Sequence, residues 1–330
     1  MLEINFFLFL ILLIPINFLL INSLLKKFII KKLIDYPDNK RKIHKKPIAK
    51  IGGIIIVINY TFFLLIFGES FIDPKLYLVV ILIFIVGLFD DIFNVNPFIR
   101  LGLIILLLIF CFEINQSFIL DKIYLETFNR YISISSISLI FSIFCIVAII
   151  NAFNLFDGLN GLSISYFIII FSYLFYKFYI IEFLPLILVL MILLFFNISN
   201  KLFLGDSGVY FLSSYLGLKI IQLHNFTEFN LSSEIIFLLL VIPGIDMARL
   251  FFERSINKKM FLSPDKEHLH HYLLTKIGDK KAVYFLVSIL FLPLIIYETR
   301  LIPVYIIILI QLLLYAFTII YLKKNAHKRK

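Results

Sequence analysis

Long apolar runs separated by short polar breaks dominate the chain, at about 4–25, 51–67, 76–89, 99–114, 136–150, 162–178, 180–196, 209–222, 232–248, 281–297 and 301–322. Runs approaching the roughly 20 residues that span a bilayer predict eleven transmembrane helices and an all-α polytopic membrane fold. The first run opens Met-Leu-Glu, without a basic segment or a small-residue cleavage site, and continues to Lys26-Lys27, which predicts a retained first helix. No repeat, low-complexity linker or separate polar domain interrupts the pattern, so residues 1–330 read as one integral-membrane domain.

Composition agrees. A chain with 62% hydrophobic residues, 39 Phe and a mean hydropathy of +1.02 carries more apolar surface than one water-soluble core can hide. The net charge of +10 does not point to nucleic acid, because the basic residues sit in short loops beside apolar spans, as the positive-inside rule requires. Placing the Lys-rich loop 26–50 in the cytosol puts 90–99, 151–161, 197–208, 249–280 and the tail 323–330 on the same side. The N-terminus is then outside and the C-terminus cytosolic. Only Lys75, Lys122, Arg130, Lys177, Lys219 and Arg300 of the 31 Lys and Arg fall outside. Asp73 and Asp121 are the only external Asp, and Glu253 and Glu267 the only cytosolic Glu, an asymmetry partly owed to the capping preference of Asp. Cys111 and Cys145 lie inside apolar runs and read as packing residues, not as a disulfide or metal framework.

Three cytosolic helix ends carry carboxylates. Asn151-Ala-Phe-Asn-Leu-Phe-Asp-Gly-Leu-Asn-Gly-Leu162 puts Asp157 among three Asn and two Gly; Asp90-Asp91 follows the run 76–89; Gly205-Asp206-Ser207-Gly208 follows the run 180–196. Ionisable groups at membrane depth are costly and mark sites, although any single one is equally explained as a helix cap. Adjacent carboxylates repel and favour a cation, and hard oxygen ligands suit Mg²⁺ shared with substrate phosphates. The Gly residues around Asp206 allow close backbone approach to a ligand, or simply cap and pack helices.

Two cytosolic loops add basic and imidazole groups. Ser263-Pro-Asp-Lys-Glu-His-Leu-His-His-Tyr272 presents His268, His270 and His271, whose spacing prevents all three from sharing one helical face and predicts a loop leading into a helix. Zinc is one reading, but no thiolate or His from a third helix completes a tetrahedral set. Donation to phosphate oxygens beside Arg249, Arg254, Lys258, Lys259 and Lys266 fits better, and a solvated basic loop is the plain alternative. In the first loop, Pro37, Pro47 and Gly52-Gly53 shape a Lys-rich segment beyond what a charge tag needs.

The ordered motifs Asp35-x-Pro, Arg41-x-x-His44-x-x-Pro47, Gly52-Gly53, Asp90-Asp91, Asn151-Ala-x-Asn154-x-x-Asp157-Gly-x-x-Gly-Leu162, Gly205-Asp-Ser-Gly208 and His268-Leu-His-His271 resemble the polyprenyl-phosphate N-acetylhexosamine-1-phosphate transferase family. The resemblance spans residues 35–271, and the His-Leu-His-His form, Asn160 and eleven runs are closer to its WecA-like branch than to the MraY branch. It implies transfer of a sugar-1-phosphate, GlcNAc-1-phosphate above others, from a UDP-sugar to undecaprenyl phosphate with release of UMP. The implied setting is the first membrane step of a cell-envelope polysaccharide pathway, at the inner or plasma membrane, with the active site facing the cytosol. It also implies Mg²⁺, with Mn²⁺ as a substitute, no nucleic-acid partner, and a homodimer as one oligomeric form.

Residue by residue, the resemblance makes Asp206 the Mg²⁺ ligand and Asp90 and Asp91 candidate bases or metal-assisting carboxylates. Asn154 and Asp157 would face the nucleotide and metal. Phe203 would stack on uracil, Lys50 would approach the pyrophosphate, and Arg41 and His44 would bind substrate. His268, His270 and His271 would hold phosphate or sugar. Two departures stand out: Asn197-Ile-Ser-Asn-Lys201 replaces the Pro-Pro-Ala often found before the Gly-Asp motif, and Val209 replaces the Ser after it. Direct attack by the lipid phosphate needs no strong base, since such a phosphate is largely dianionic at neutral pH; a covalent phospho-aspartate route is the other option. A transporter with an ion path lined by these Asp and Asn residues, or an inactive scaffold, are the competing classes.

Overall fold

The computed structural model describes residues 2–27, 31–37, 44, 46–68, 73–226, 231–258 and 267–327. All eleven apolar runs lie on helices: α1 (Leu2–Lys27), α2 (Gly52–Phe67), α3 (Pro74–Phe93), α4 (Pro97–Ile114), α5 (Ser138–Phe156), α6 (Leu162–Phe178), α7 (Phe183–Ile198), α8 (Gly205–Asn225), α9 (Ser233–Ile256), α11 (Asp279–Glu298) and α12 (Val304–His327). The short α10 (Leu269–Ile277) carries the histidine motif. Among the described residues, seven helices, α1, α3, α4, α5, α9, α11 and α12, are long and apolar enough to cross a membrane. The other four helices on the expected runs fall short of that measure for two reasons. α2, α6 and α7 have 16 or 17 residues, short of the ~20 that match a bilayer core. α8 carries Asp206, Ser207, Ser213, Ser214, Lys219 and Gln222, which dilute its apolarity.

Among the described residues, two small sheets accompany the helices. β1 (Ile34–Asp35) pairs antiparallel with β2 (Ile48–Lys50), which pairs in parallel with β5 (Leu202–Phe203). β3 (Lys122–Leu125) and β4 (Arg130–Ser133) form an antiparallel hairpin.

Two compact units make up the chain, one of residues 1–107 and 163–215, the other of 108–162 and 216–330. In the first, α7 packs against α1 and α2. Asn17 and Asn59 exchange amide hydrogen bonds at 2.8 and 2.7 Å, and the Tyr60 hydroxyl donates to that of Tyr215 at 2.6 Å. Such pairing satisfies polar groups that hydrocarbon cannot. In the second unit α5 packs on α9, and α10, α11 and α12 pack on one another. Glu126 there accepts from Ser232 (3.1 Å), Tyr297 (2.7 Å) and Arg300 (2.5 Å), and these partners hold its carboxyl below the usual range despite partial burial.

Candidate functional site

In the first unit, the three-stranded sheet joins two loops that are distant in sequence. The β2–β5 register puts Lys50 opposite Phe203, and Gly53 N–H donates to the Leu204 carbonyl at 3.0 Å. His44 Nε2 is 2.8 Å from Asp35 Oδ2, its Nδ1 is 2.8 Å from the Lys46 carbonyl, and its ring meets Phe203 edge-on at 5.3 Å between centroids. Two hydrogen bonds and a ring contact thus fix His44 beside Phe203. Of the residues expected to bind substrate, Lys50 and Phe203 lie on this sheet and His44 packs against it.

The carboxylates in this unit have different surroundings. Asp91, near the C-terminal end of α3 and 4% exposed, accepts the backbone N–H groups of Asp206 at 3.0 Å and Ser207 at 2.9 Å. It therefore satisfies donors that the N-terminus of α8 would otherwise leave orphaned. Gly205 makes that approach feasible: its φ is +77°, and a Cβ there would lie 2.7 Å from Asp91 Oδ2. Lys50 Nζ stands 3.5 Å from Asp91 Oδ1. Burial alone would lower the Lys50 pKa, but Asp91, with Asp206 and Asp35, outweighs it and holds the ammonium above its ordinary 10.5. Asp90, also buried, is ion-paired with Arg100 of α4, whose guanidinium lies 5.6 Å from the centre of the Tyr210 ring.

Asp206 differs from both. Its carboxylate, half-buried, makes no hydrogen bond or ion pair among the described residues, yet lies within electrostatic reach of Asp91, Asp90, Lys50 and Arg100. The buried Tyr210 hydroxyl nearby has no hydrogen-bond partner among the described residues. Without a hydrogen-bond or ion-pair partner among the described residues, this carboxylate is open to a hard cation such as Mg²⁺, which takes one or two carboxylates and keeps waters or phosphates.

In the second unit, α5 ends at Asp157, whose N–H donates to the Phe153 carbonyl at 3.0 Å, and Gly158 turns the chain. Asn154 and Asp157 are half-buried on and just beyond the last turn of α5. The histidine motif starts α10, with His268 at the N-cap and His270 and His271 in the first turn. His270 is 1% exposed and faces Gly158 so closely that a Cβ there would lie 2.8 Å from its Cδ2 and Cε1. Its ring also meets Phe156 edge-on at 6.5 Å, stacks on His268 at 5.3 Å and lies 4.4 Å from that of His271. Burial, then the neighbouring His271 and His268, push its pKa well below 6.5, so the imidazole is neutral at neutral pH. The Asn151–Leu162 and His268–His271 motifs of this unit thus meet at Gly158 and His270.

Arg41 lies outside the described residues, as do Lys259 and Lys266. Arg249 is not a free cation: it pairs with Asp246 and Glu253, both at 2.9 Å. Sequence reasoning passed over two residues, Arg100 and Asp246. Each is a charge within an apolar helix, the signal that marks a site at membrane depth. Among the described residues, the group of three side chains able to converge on a metal is Asp246, His268 and His270, with ligand atoms within 4.8 Å of one another. Asp246 is thus the third potential ligand that inspection of the loop did not find.

Residues 74–224 match the family described as Glycosyl transferase family 4. The chain is 30% identical, over 78% of its own length and 78% of the relative's, to an undecaprenyl-phosphate alpha-N-acetylglucosaminyl 1-phosphate transferase of Thermotoga maritima. The chain belongs to the polyprenyl-phosphate hexosamine-1-phosphate transferase family. A relative of the same description from Pasteurella multocida is 32% identical over 88 residues, 26% of this chain and 24% of the relative. As a member of the family with seven helices fit to span a bilayer, the protein is an integral membrane protein. The family match at 74–224 includes Asp90, Asp91, Asn154, Asp157, Phe203 and Asp206; the loops bearing His44, Lys50 and the three histidines lie outside it.

Proposed function

We propose that this protein transfers GlcNAc-1-phosphate from UDP-GlcNAc to undecaprenyl phosphate and releases UMP, at the cytosolic face of the cell membrane, as the first membrane step of an envelope polysaccharide. The observation that carries the reading is the Asp206 carboxylate, which has no hydrogen-bond or ion-pair partner among the described residues although Asp90, Asp91, Lys50 and Arg100 lie within electrostatic reach. The named activity of the Thermotoga maritima relative supports the lipid acceptor and the sugar-phosphate.

Both substrates are anionic and repel each other. Mg²⁺, held by Asp206 with Asp90 or Asp91 assisting, would supply charge neutralisation and Lewis acidity at the phosphates. Lys50, kept charged beside Asp91, approaches the pyrophosphate, and Phe203, steadied by His44, offers its ring to uracil. The family resemblance would give Asn154 and Asp157 of the other unit a role toward the nucleotide, and His270 and His271 a role toward phosphate or sugar.

In the reaction, an oxygen of the dianionic lipid phosphate bonds to the β-phosphorus of the donor. The bond from that phosphorus to the bridging oxygen breaks, and UMP departs with the oxygen. Asp91 is occupied by two N–H donors and Lys50, and Asp90 by Arg100, so both orient the cluster and neither is free to act as a strong base. The geometry favours direct displacement over a phospho-aspartate. Positioning and electrostatic stabilisation supply the rate. Detergent-purified protein with UDP-GlcNAc, undecaprenyl phosphate and Mg²⁺ should release UMP and form lipid-linked GlcNAc-pyrophosphate in equal amounts. No UMP with any UDP-N-acetylhexosamine would sink the reading.

A further inference from the structure

Asp246 lies in α9 and is 3% exposed, a costly position for a charge unless its surroundings engage it fully. They do. Its Oδ1 accepts from Arg249 Nη2 at 2.9 Å, from the Tyr315 hydroxyl at 2.8 Å and from Leu269 N–H at 3.2 Å; its Oδ2 accepts from His268 Nδ1 at 3.2 Å. Arg249 Nη2 also donates to the Glu267 carbonyl at 2.6 Å, and Arg249 Nε donates to the Tyr315 hydroxyl at 2.9 Å. Carboxylate, guanidinium and phenol, from α9 and α12, together grip Glu267, His268 and Leu269, the three residues that lead into α10.

The consequence reaches further along the chain. His268 stacks on His270 with an interplanar angle of 17°, and His270 fills the space that a side chain at Gly158 would need. A shift at Asp246 therefore moves His270 against the Asp157-Gly158 turn. His270 Nδ1 is buried without a hydrogen-bond partner among the described residues, which leaves that nitrogen to a ligand.

We propose that Asp246, held by Arg249 and Tyr315, is a positioning residue for sugar-phosphate transfer: it sets the start of α10 so that His270 and His271 meet the phosphate or sugar groups. The inference rests on the transferase reading above. A metal at Asp246, His268 and His270 fits the same residues less well, because both carboxylate oxygens already accept protein donors and Arg249 sets a positive charge 2.9 Å away.

Two measurements test this. The first needs no turnover. Buried His268 and His270 should resist carbethoxylation by diethylpyrocarbonate in the native protein, and Asp246→Asn should make both reactive, read by peptide mass spectrometry. If Asp246→Asn fails to fold, Tyr315→Phe, which keeps the carboxylate and removes one donor, should raise reactivity to a smaller degree. The second is a double-mutant cycle on UMP release. Asp246→Asn should lower kcat at least about 10-fold with little change in KM for UDP-GlcNAc, and should add less than about 2-fold in a His270→Ala background, because both act through one imidazole. Unchanged protection, strictly multiplicative losses, or one zinc per chain that Asp246→Asn removes would each overturn the proposal. Absence of UMP release by the native protein would instead defeat the transferase reading, and the protection arm would still decide whether Asp246 holds the histidine segment.

Discussion

Asp91 accepts the backbone N–H of Asp206 at 3.0 Å, so one acid of the cluster is spent holding the helix end that presents the other. Two carboxylates of the same chemical type thereby have separable tasks.

That separation predicts different effects on stability. Asp206→Asn should not lower thermal stability in detergent, because the carboxylate makes no hydrogen bond among the described residues and is repelled by Asp91 and Asp90, while kcat falls at least about 10²-fold at limiting Mg²⁺. Asp91→Ala should cost about 1–2 kcal/mol of stability as a lost cap, besides impairing turnover. UMP release measured alongside melting curves distinguishes them. Near-normal turnover by folded Asp206→Asn would contradict the metal assignment.

Arg100 should prove structurally essential although no motif includes it. Arg100→Ala leaves Asp90 buried and uncompensated, a cost of about 3–5 kcal/mol. The double variant Asp90→Asn/Arg100→Ala should regain a large share of that loss. Equal melting temperatures for the single and double variants would show that the pair contributes nothing.

Gly158→Ala should damage catalysis through His270. The added Cβ meets the imidazole, so the ring or the Asp157 turn must move; overpacking of this kind costs about 1–3 kcal/mol, and a ~1 Å displacement lowers rates up to about 10²-fold. Gly158→Ala should also gain little further loss from His270→Ala. Unimpaired kinetics in the single variant would show that this contact is not part of the site.

Donor choice should favour UDP-GlcNAc over UDP-muramoyl-pentapeptide. The expectation rests on the His268-Leu-His-His271 form and on the described activity of the relatives. A kcat/KM for the pentapeptide donor equal to or above that for UDP-GlcNAc, with the same lipid, would reverse it. Preference for an epimeric UDP-N-acetylhexosamine would change only the sugar, since epimers differ by few contacts.

The C-terminus should be cytosolic and the N-terminus external. Lys323 and Lys324 at the end of α12, and Lys328, Arg329 and Lys330 beyond the described residues, form the basic cluster that holds it there. A C-terminal fusion reporter active only outside the cell would refute this orientation.

The apolar runs alone determined where every helix but α10 lies among the described residues, because burying backbone polar groups in lipid leaves helix as the local solution, and every run became one. The motifs likewise located Asp90, Asp91, Asp157, Asp206 and the histidines, since charge and amide groups at helix ends are conspicuous against so apolar a background. The division of labour among them was not legible there. Asp91 as a cap for α8, Asp90 as Arg100's partner and Asp206 as the acid without one among the described residues depend on how α3, α4 and α8 pack, more than a hundred residues apart for the first of these pairs. Nor could the loop sequence show that Lys50 lies opposite Phe203, because a three-residue strand has no periodicity to read and acquires its partner only through tertiary pairing. Asp246 stayed hidden for the same reason. Its donors come from α9, α10 and α12, and a charge in an apolar run reveals that it must be compensated, but only the fold reveals by what.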